Sequence, residues 1–274
     1  MNAIGLNDVA AARTFLFVPA DRPDRFAKAV ATGADVVVLD LEDAVAPINK
    51  DLARDHARTW LAAGNTAMVR INSSQTSWHN ADVELIKACG PPVMLPKAER
   101  SAHVRRLLTA GAPAVVPLIE TALGVHQARA LCAVAGVPRI AFGSIDFATQ
   151  LGIRPDDQDA LHTYRSLLVL ASAAAGLAPP IDGVTTAFTD PEKLIADVAY
   201  ARRLGMTAKL CVHPAQVSIV HAASVPSEDE ILWAQAVLGA DTADGHATTV
   251  AGEMIDTAVV ERARRIVAAA ARRG

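Results

Sequence analysis

Two apolar runs of this chain each lead into a single carboxylate. Ala114-Val115-Val116-Pro117-Leu118-Ile119 ends at Glu120, and Arg139-Ile140-Ala141-Phe142-Gly143-Ser144-Ile145 ends at Asp146. Each run reads as a buried strand whose acid stands where the strand gives way to a loop, with one helix-length segment between the two. If the strands are parallel neighbours, both carboxylates arrive side by side at one rim of a sheet. Two hard oxygen ligands with little other protein around them suit Mg2+, which keeps several waters and lets substrate oxygens complete its octahedron. Mn2+ is the alternative ion. The plainer duties open to either acid are capping the next helix or meeting a nearby arginine.

Other apolar runs end in polar residues too. In chain order these are Asp40 and Glu42, Arg70 and Asn72, Lys97, then Asp182 and His213. Asp40 and Glu42 share one strand face by period-two alternation, which suits hydrogen bonding to metal-bound water or to Arg70. Arg70 follows Ala67-Met68-Val69. A guanidinium there could grip a carboxylate or stabilise a developing enolate oxygen, or form a structural pair with Asp40 or Glu42. Lys97 is the only lysine placed for a Schiff base, and no Ser or Cys nucleophile motif is present. His213 precedes Pro214 and reads first as a satisfied strand-end histidine.

The elements that must position these residues alternate along the chain. Apolar runs at Thr14–Val18, Asp35–Leu41, Ala67–Ile71, Pro92–Leu95, Ala114–Ile119, Arg139–Phe142, Pro180–Val184 and Ala208–Val212 predict eight strands. Helical segments are predicted over Pro23–Ala31, Lys50–Ala62, Ala81–Cys89, Ala102–Thr109, Leu123–Ala135, a long stretch ending near Ala175, and Pro191–Leu204. A polar insertion, Arg154–Asp159, follows the sixth run. Alternating β and α with short connections means a parallel sheet, and eight repeats favour a closed (β/α)8 TIM barrel with its site at the carboxyl ends of the strands. A doubly wound open sheet is the rival. Its usual glycine-rich first turn is replaced here by Pro19-Ala20-Asp21-Arg22-Pro23. Residues 1–224 are therefore read as the barrel and residues 225–274 as a C-terminal extension. The extension opens on a capping-box-like Ser227-Glu228-Asp229-Glu230, passes through a small-residue loop at Asp241–Thr249, and closes in a basic helix over Thr257–Arg273.

Composition narrows the class. Apolar residues make up 51% of 274, with only 4% aromatic, as expected of strands buried on both faces. A net charge of −3 lacks the basic excess of a nucleic-acid surface. Cys89, Cys132 and Cys211 lie far apart without CxxC spacing, so they imply neither zinc nor a redox pair. No apolar stretch reaches the ~20 residues of a membrane span, and no export signal is read at the amino terminus. The expectation is a cytoplasmic protein with neither nucleic-acid nor membrane partners.

Taken in order, these residues resemble a known family. The stretches Phe17–Phe26, Val38–Val45, Val69-Arg70-Ile71-Asn72, Leu95-Pro96-Lys97, Pro117–Thr121, Gly143-Ser144-Ile145-Asp146-Phe147, Lys209–Gln216 and Gly252-Glu253-Met254-Ile255-Asp256 resemble the citrate lyase β-subunit-like proteins. These belong to the HpcH/HpaI aldolase and malyl-CoA lyase superfamily. The resemblance implies a TIM barrel that uses Mg2+ to cleave or form a carbon–carbon bond between an acyl-CoA enolate and a 2-oxo acid. It implies Glu120 and Asp146 as metal ligands and Arg70 on the oxygen of the 2-oxo or 2-hydroxy acid; Asp40 and Glu42, read from their shared strand face, complete the catalytic candidates with Arg70 and Asp256. Asp256 matches an acid or base that reaches a neighbouring subunit's site, which implies a homo-oligomer, a trimer or a multiple of it. Arg22, Arg25, Lys28, Lys97, Gly143, Ser144, Lys209 and His213 fall in segments that line substrate or CoA. The leading expectation is a lyase for a malyl- or citramalyl-CoA type thioester. A malate-synthase-like outcome, a citrate lyase subunit working on an acyl-carrier-protein thioester, and a CoA-independent class II aldolase stay open beside it. The loop before Asp256 carries one glycine, Gly245, where many relatives are glycine-rich.

Overall fold

The computed structural model describes residues 4–241, 248–250 and 253–271. Eight strands close a parallel barrel in sequence order: β1 (Thr14–Pro19), β2 (Val36–Asp40), β3 (Met68–Arg70), β4 (Val93–Leu95), β5 (Val115–Ile119), β6 (Ala141–Phe142), β7 (Ile181–Asp182) and β8 (Ala208–Cys211). The helices of this unit are α1 (Leu6–Ala11), α2 (Phe26–Val30), α3 (Lys50–Ala62), α4 (His79–Cys89), α5 (Ser101–Thr109), α6 (Ala122–Cys132), α7 (Ser144–Leu151), α8 (Gln158–Ala174), α9 (Pro191–Arg203) and α10 (Ala215–Ala223). The barrel is the (β/α)8 architecture the alternation predicts, and the open sheet is excluded because β1 pairs with both β2 and β8.

Pleat alternation sorts the side chains into two cores. Phe15, Val36, Val38, Met68, Met94, Val116, Leu118, Ala141, Ile181 and Leu210 fill the barrel interior. The alternate residues Leu16, Val37, Leu39, Val69, Ile119 and Phe142 face the helices. Burial of both faces is why the strands are almost entirely aliphatic. The parity also fixes which polar strand ends point to the axis. Asp40, Arg70 and Glu120 continue the interior series, whereas Asp182 and Lys209 continue the outward one.

The opposite end of the barrel is closed by α1, a short helix that the apolar periodicity does not predict. Its Val9 joins the interior cluster. Arg139, fully buried, donates to the carbonyls of Val9, Ala10 and Ala12 at the end of α1, to Pro179 O, and to Thr207 Oγ1. The carbonyls of Val9, Ala10 and Ala12 lie at the end of α1, where intrahelical donors run out. Arg139→Met is expected to lower stability by about 2–4 kcal/mol, since it orphans several buried acceptors at once. Urea denaturation measures it, and a loss below ~1 kcal/mol would show that α1 does not depend on the guanidinium.

Residues 224–274 form a second compact unit. It contains α11 (Glu228–Asp241), β9 (Thr248–Val250), β10 (Glu253–Ile255) and α12 (Thr257–Ala271), with β9 and β10 antiparallel. Ala234 and Val237 of α11 are buried with Ile255, Val260 and Ala263. The capping box stands: Ser227 Oγ accepts from Glu230 N (3.1 Å), and Ser227 N donates to Glu230 Oε2 (2.8 Å). The loop read over Asp241–Thr249 is corrected at its end, where Thr248 begins β9; residues 242–247 and Gly252 lie outside the described residues. Among the described residues no helix is long and apolar enough to cross a membrane.

Candidate active site at the carboxyl rim

Asp40 and Arg70 are register partners on β2 and β3, both facing the axis, so they meet directly. Arg70 Nε donates to Asp40 Oδ1 at 2.7 Å and Nη2 to Oδ2 at 2.5 Å. This is the two-pronged geometry that fixes a guanidinium plane. Asp40 also accepts from the backbone of Glu42 (2.9 Å) and Ala44 (3.1 Å). It therefore has no oxygen to spare for a ligand, and its work is to hold Arg70. Burial opposes the charge on Arg70, but the Asp40 carboxylate prevails and keeps the guanidinium above its ordinary pKa. The ring of Phe17 lies 4.6 Å from the Arg70 guanidinium carbon.

The second group gathers around Lys97. Its ammonium is 3.0 Å from Glu42 Oε1, 3.2 Å from Asp146 Oδ2 and 3.8 Å from Glu120 Oε1. Lys97 has φ +47°, the one left-handed non-glycine residue among those described, and its N–H donates to Glu120 Oε1 at 2.8 Å. Glu120 does not cap the next helix, because Thr121 Oγ1 does so by accepting from Gly124 N. Burial and then the Glu42 carboxylate push Glu120 up to about 8, and burial likewise raises Glu42. Glu42 Oε2 is buried and accepts no hydrogen bond, although Arg70 Nη1 is 3.2 Å away. Both shifts come first from burial, with neighbouring carboxylates adding to it and Arg70 and Lys97 opposing it.

Asp146 requires a correction. It does not end a strand, since β6 stops at Phe142. Gly143 is the N-cap of α7, and Asp146 sits in that helix's first turn. The two acids still converge, because Ile119 pairs with Phe142 and the next row sets Glu120 against Gly143. A Cβ on Gly143 would fall 2.5 Å from both Glu120 Cβ and Oε2.

Other rim expectations change as well. Asp182 and Lys209 are register partners on the outward face. Lys209 Nζ donates to Asp182 Oδ2 (2.6 Å), and Arg165 Nε of α8 donates to Oδ1 (2.8 Å). All three are buried. The ammonium of Lys209 is thus committed to Asp182 behind the sheet and does not reach the rim as a ligand contact. Asn72 serves Asp82, which also binds Arg54. His213 is exposed and stacks on Phe188 at 5.0 Å. Arg22, Arg25 and Lys28 are exposed on the connection after β1 and on α2, with Arg22 paired to Asp24. Ser144 is buried at the start of α7. In the second unit Asp256 is exposed and its Oδ1 accepts from Val259 N, capping α12. Lys50, which the sequence did not single out, is buried and donates to the carbonyls of Leu41 (2.7 Å) and Glu42 (2.6 Å). It anchors the loop that carries Glu42.

Among the described residues no three acid, His or Cys donors are preassembled as a metal site. The donor set nonetheless fits a hard cation that brings its own waters. It consists of carboxylate oxygens alone: Asp40 clamps Arg70, whose Nη1 also faces Glu42 at 3.2 Å, and Glu42, Glu120 and Asp146 all approach Lys97.

A parallel eight-stranded barrel with a clamped arginine beside such an acidic group, at the carboxyl rim, defines a class of barrel enzyme site. Residues 13–214 match the HpcH/HpaI aldolase/citrate lyase family, and the chain belongs to it. A citrate lyase subunit beta-like protein of Mycobacterium tuberculosis is 36% identical over 269 residues, covering 96% of this chain and 97% of its own. A (3S)-malyl-CoA thioesterase of Cereibacter sphaeroides is 32% identical over 274 residues, covering 94% of each. The crystal structure of CitE from M. tuberculosis in complex with magnesium, acetoacetate and coenzyme A superposes with a TM-score of 0.85 at 34% identity. It covers 96% of this chain and 99% of that one.

Proposed function

We propose that this chain is a Mg2+-dependent carbon–carbon lyase. It would split a 3-hydroxyacyl-CoA of the malyl- or citramalyl-CoA kind into acetyl-CoA and a 2-oxo acid, or run the reverse condensation. The observation that carries the reading is the convergence of Glu42, Glu120 and Asp146 on one cation position beside the clamped Arg70. The magnesium, acetoacetate and coenzyme A bound by the M. tuberculosis relative support the same ligand classes here.

Glu120 and Asp146 would hold the ion, Mg2+ or Mn2+. When bound it supplies Lewis-acid polarisation and a template for the hydroxy-acid oxygens. Arg70 donates to the oxygen that changes from hydroxyl to carbonyl. Glu42, with an oxygen that accepts nothing and a carboxyl raised by burial, takes the hydroxyl proton. The electron pair of the breaking carbon–carbon bond passes to the carbon beside the thioester. Asp256 of a neighbouring chain returns a proton there, which makes residues 225–274 a lid and the enzyme an oligomer, a trimer or a multiple. Arg22, Arg25 and Lys28 receive CoA phosphates, His213 flanks them, and Gly143 and Ser144 give the site its backbone edge.

The thioesterase relative favours a second reading, hydrolysis of the thioester to a hydroxy acid and free CoA. One assay separates the two. With malyl-CoA or citramalyl-CoA, the lyase releases acetyl-CoA and glyoxylate or pyruvate, and a chelator stops it. Glu120→Gln and Arg70→Lys are each expected to cut kcat/KM by about 10²–10³. Malate or citramalate with free CoA, and no acetyl-CoA, would establish the thioesterase. No turnover of either thioester would overturn both readings in favour of a carrier-protein-dependent citrate lyase subunit or a free-acid aldolase.

A further inference from the structure

The Lys97 ammonium stands against the carboxylates of Glu120 and Asp146, the pair that would share a cation. Mg2+ bonds carboxylate oxygen at about 2.0–2.1 Å. The ammonium nitrogen is already 3.2 Å from Asp146 Oδ2 and 3.8 Å from Glu120 Oε1. An ion bonded to these two oxygens from the side on which the ammonium stands would overlap its volume and repel it, so the two compete for that side of the pair.

Two further features bear on how the conflict is resolved. The Lys97 backbone is pinned: its N–H is given to Glu120, Ala98 N–H is given to Leu118 O at 3.2 Å, and φ is held in the left-handed region. Its side chain is 32% exposed, so the stem has a route to solvent while the backbone stays in place. The charge count also favours exchange. Four carboxylates, Asp40, Glu42, Glu120 and Asp146, face two cations, Arg70 and Lys97, and replacing the single charge of the ammonium by a double one brings the group closer to neutrality.

We propose that Lys97 is an internal counter-ion that competes with the divalent cation for the Glu120–Asp146 pair, filling its position in the metal-free protein and swinging out when the ion binds. This rests on the metal reading of the Glu120–Asp146 pair given above. It assigns Lys97 to setting metal affinity and to keeping the acidic rim ordered before loading.

The test is Mn2+ binding to the full chain, read from the electron paramagnetic resonance signal of free Mn2+, for wild type, Lys97→Met and Glu120→Gln. If the ammonium is seated nine-tenths of the time, the apparent Kd is about tenfold weaker than the intrinsic one. Lys97→Met is therefore expected to tighten Mn2+ binding about tenfold, and Glu120→Gln to abolish it. A second readout needs no variant at Lys97. Brief acetic anhydride labelling of the wild type, mapped by mass spectrometry, should modify Lys97 several times faster with Mn2+ than without, while Lys209, buried on Asp182, stays constant. Glu120-dependent binding that Lys97→Met leaves equal or weakens, or Lys97 labelling that does not rise, would overturn the counter-ion role and spare the metal site. Mn2+ binding absent from the wild type, or indifferent to Glu120→Gln, would overturn the metal reading itself.

Discussion

Gly143→Ala is expected to lower turnover of the thioester substrate about a hundredfold or more, while the barrel still folds. Gly143 has φ −89° and ψ 74°, so its backbone does not call for glycine. Space does. The added methyl would stand 2.5 Å from Glu120 Cβ and 2.5 Å from Glu120 Oε2; rotation of the Glu120 side chain relieves the second contact, while the first also requires the β5 and β6 backbones to part slightly, because Cβ does not move with rotation. If the side chain rotates, it gives up the Lys97 N–H bond at 2.8 Å and its approach to Asp146. Displacements of about 1 Å in a positioned group can cost 10²-fold in rate, whereas overpacking of this kind usually costs ~1–3 kcal/mol of stability. The expected pattern is thus a large fall in kcat/KM and in divalent-cation affinity with a modest shift in the urea midpoint. Wild-type activity in Gly143→Ala would mean that Glu120 can move freely, and would remove it from the set of metal ligands.

How far this site was legible in the sequence depended on pleat parity. Asp40 and Arg70 each end an apolar run, and counting alternation from Val36, Val38 and Met68 places both on the axis; their pairing was among the expected arrangements. Glu120 was equally readable. Asp182 and Lys209 also end apolar runs, but counting from Ile181 and Ala208, which line the interior, puts them outside. Position at a strand end alone therefore misled. Of the run Pro180–Val184 only Ile181 and Asp182 enter the β7 ladder; Pro180 has no N–H to give it. The short β6 and the immediate start of α7 moved Asp146 from a loop into a helix, and apolar periodicity cannot separate the two in so few residues. No sequence signal marks a lysine as left-handed, so the place Lys97 takes among the acids came from the structure alone. The buried roles of Lys50 and Arg139 were hidden for a related reason. Both serve backbone carbonyls, which every residue possesses.

The buried triad behind the sheet should dominate stability. Asp182→Ala is expected to destabilise the barrel by about 3–5 kcal/mol, because it leaves two buried cations without a carboxylate. Asp182 accepts from Lys209 at 2.6 Å and from Arg165 at 2.8 Å, and its side chain is 1% exposed. Arg165 Nη1 has no hydrogen-bond partner; its guanidinium carbon lies 5.5 Å from the ring of Phe142 and 5.9 Å from that of Tyr200, which offsets only part of an uncompensated charge. Against the ~5–15 kcal/mol by which domains are stable, a loss of this size is visible as a large drop in urea midpoint. Replacing all three by apolar residues (Asp182→Leu, Lys209→Met, Arg165→Met) should recover most of the loss, since the cost lies in the orphaned charges and not in the missing attraction. Acid supplies an independent check. Burial would raise the Asp182 carboxyl, but Lys209 and Arg165 prevail and hold it below the usual carboxylate range. A carboxyl depressed in the folded state stabilises fully above its unfolded pKa of about 3.9, and that contribution is lost as the pH falls through the folded value. The wild-type and Asp182→Ala stability curves should therefore lie furthest apart near neutral pH and converge in acid. A gap that stays constant down to pH ~3, or a neutral-pH loss under ~1 kcal/mol, would mean that the triad is held by its packing and not by its charges.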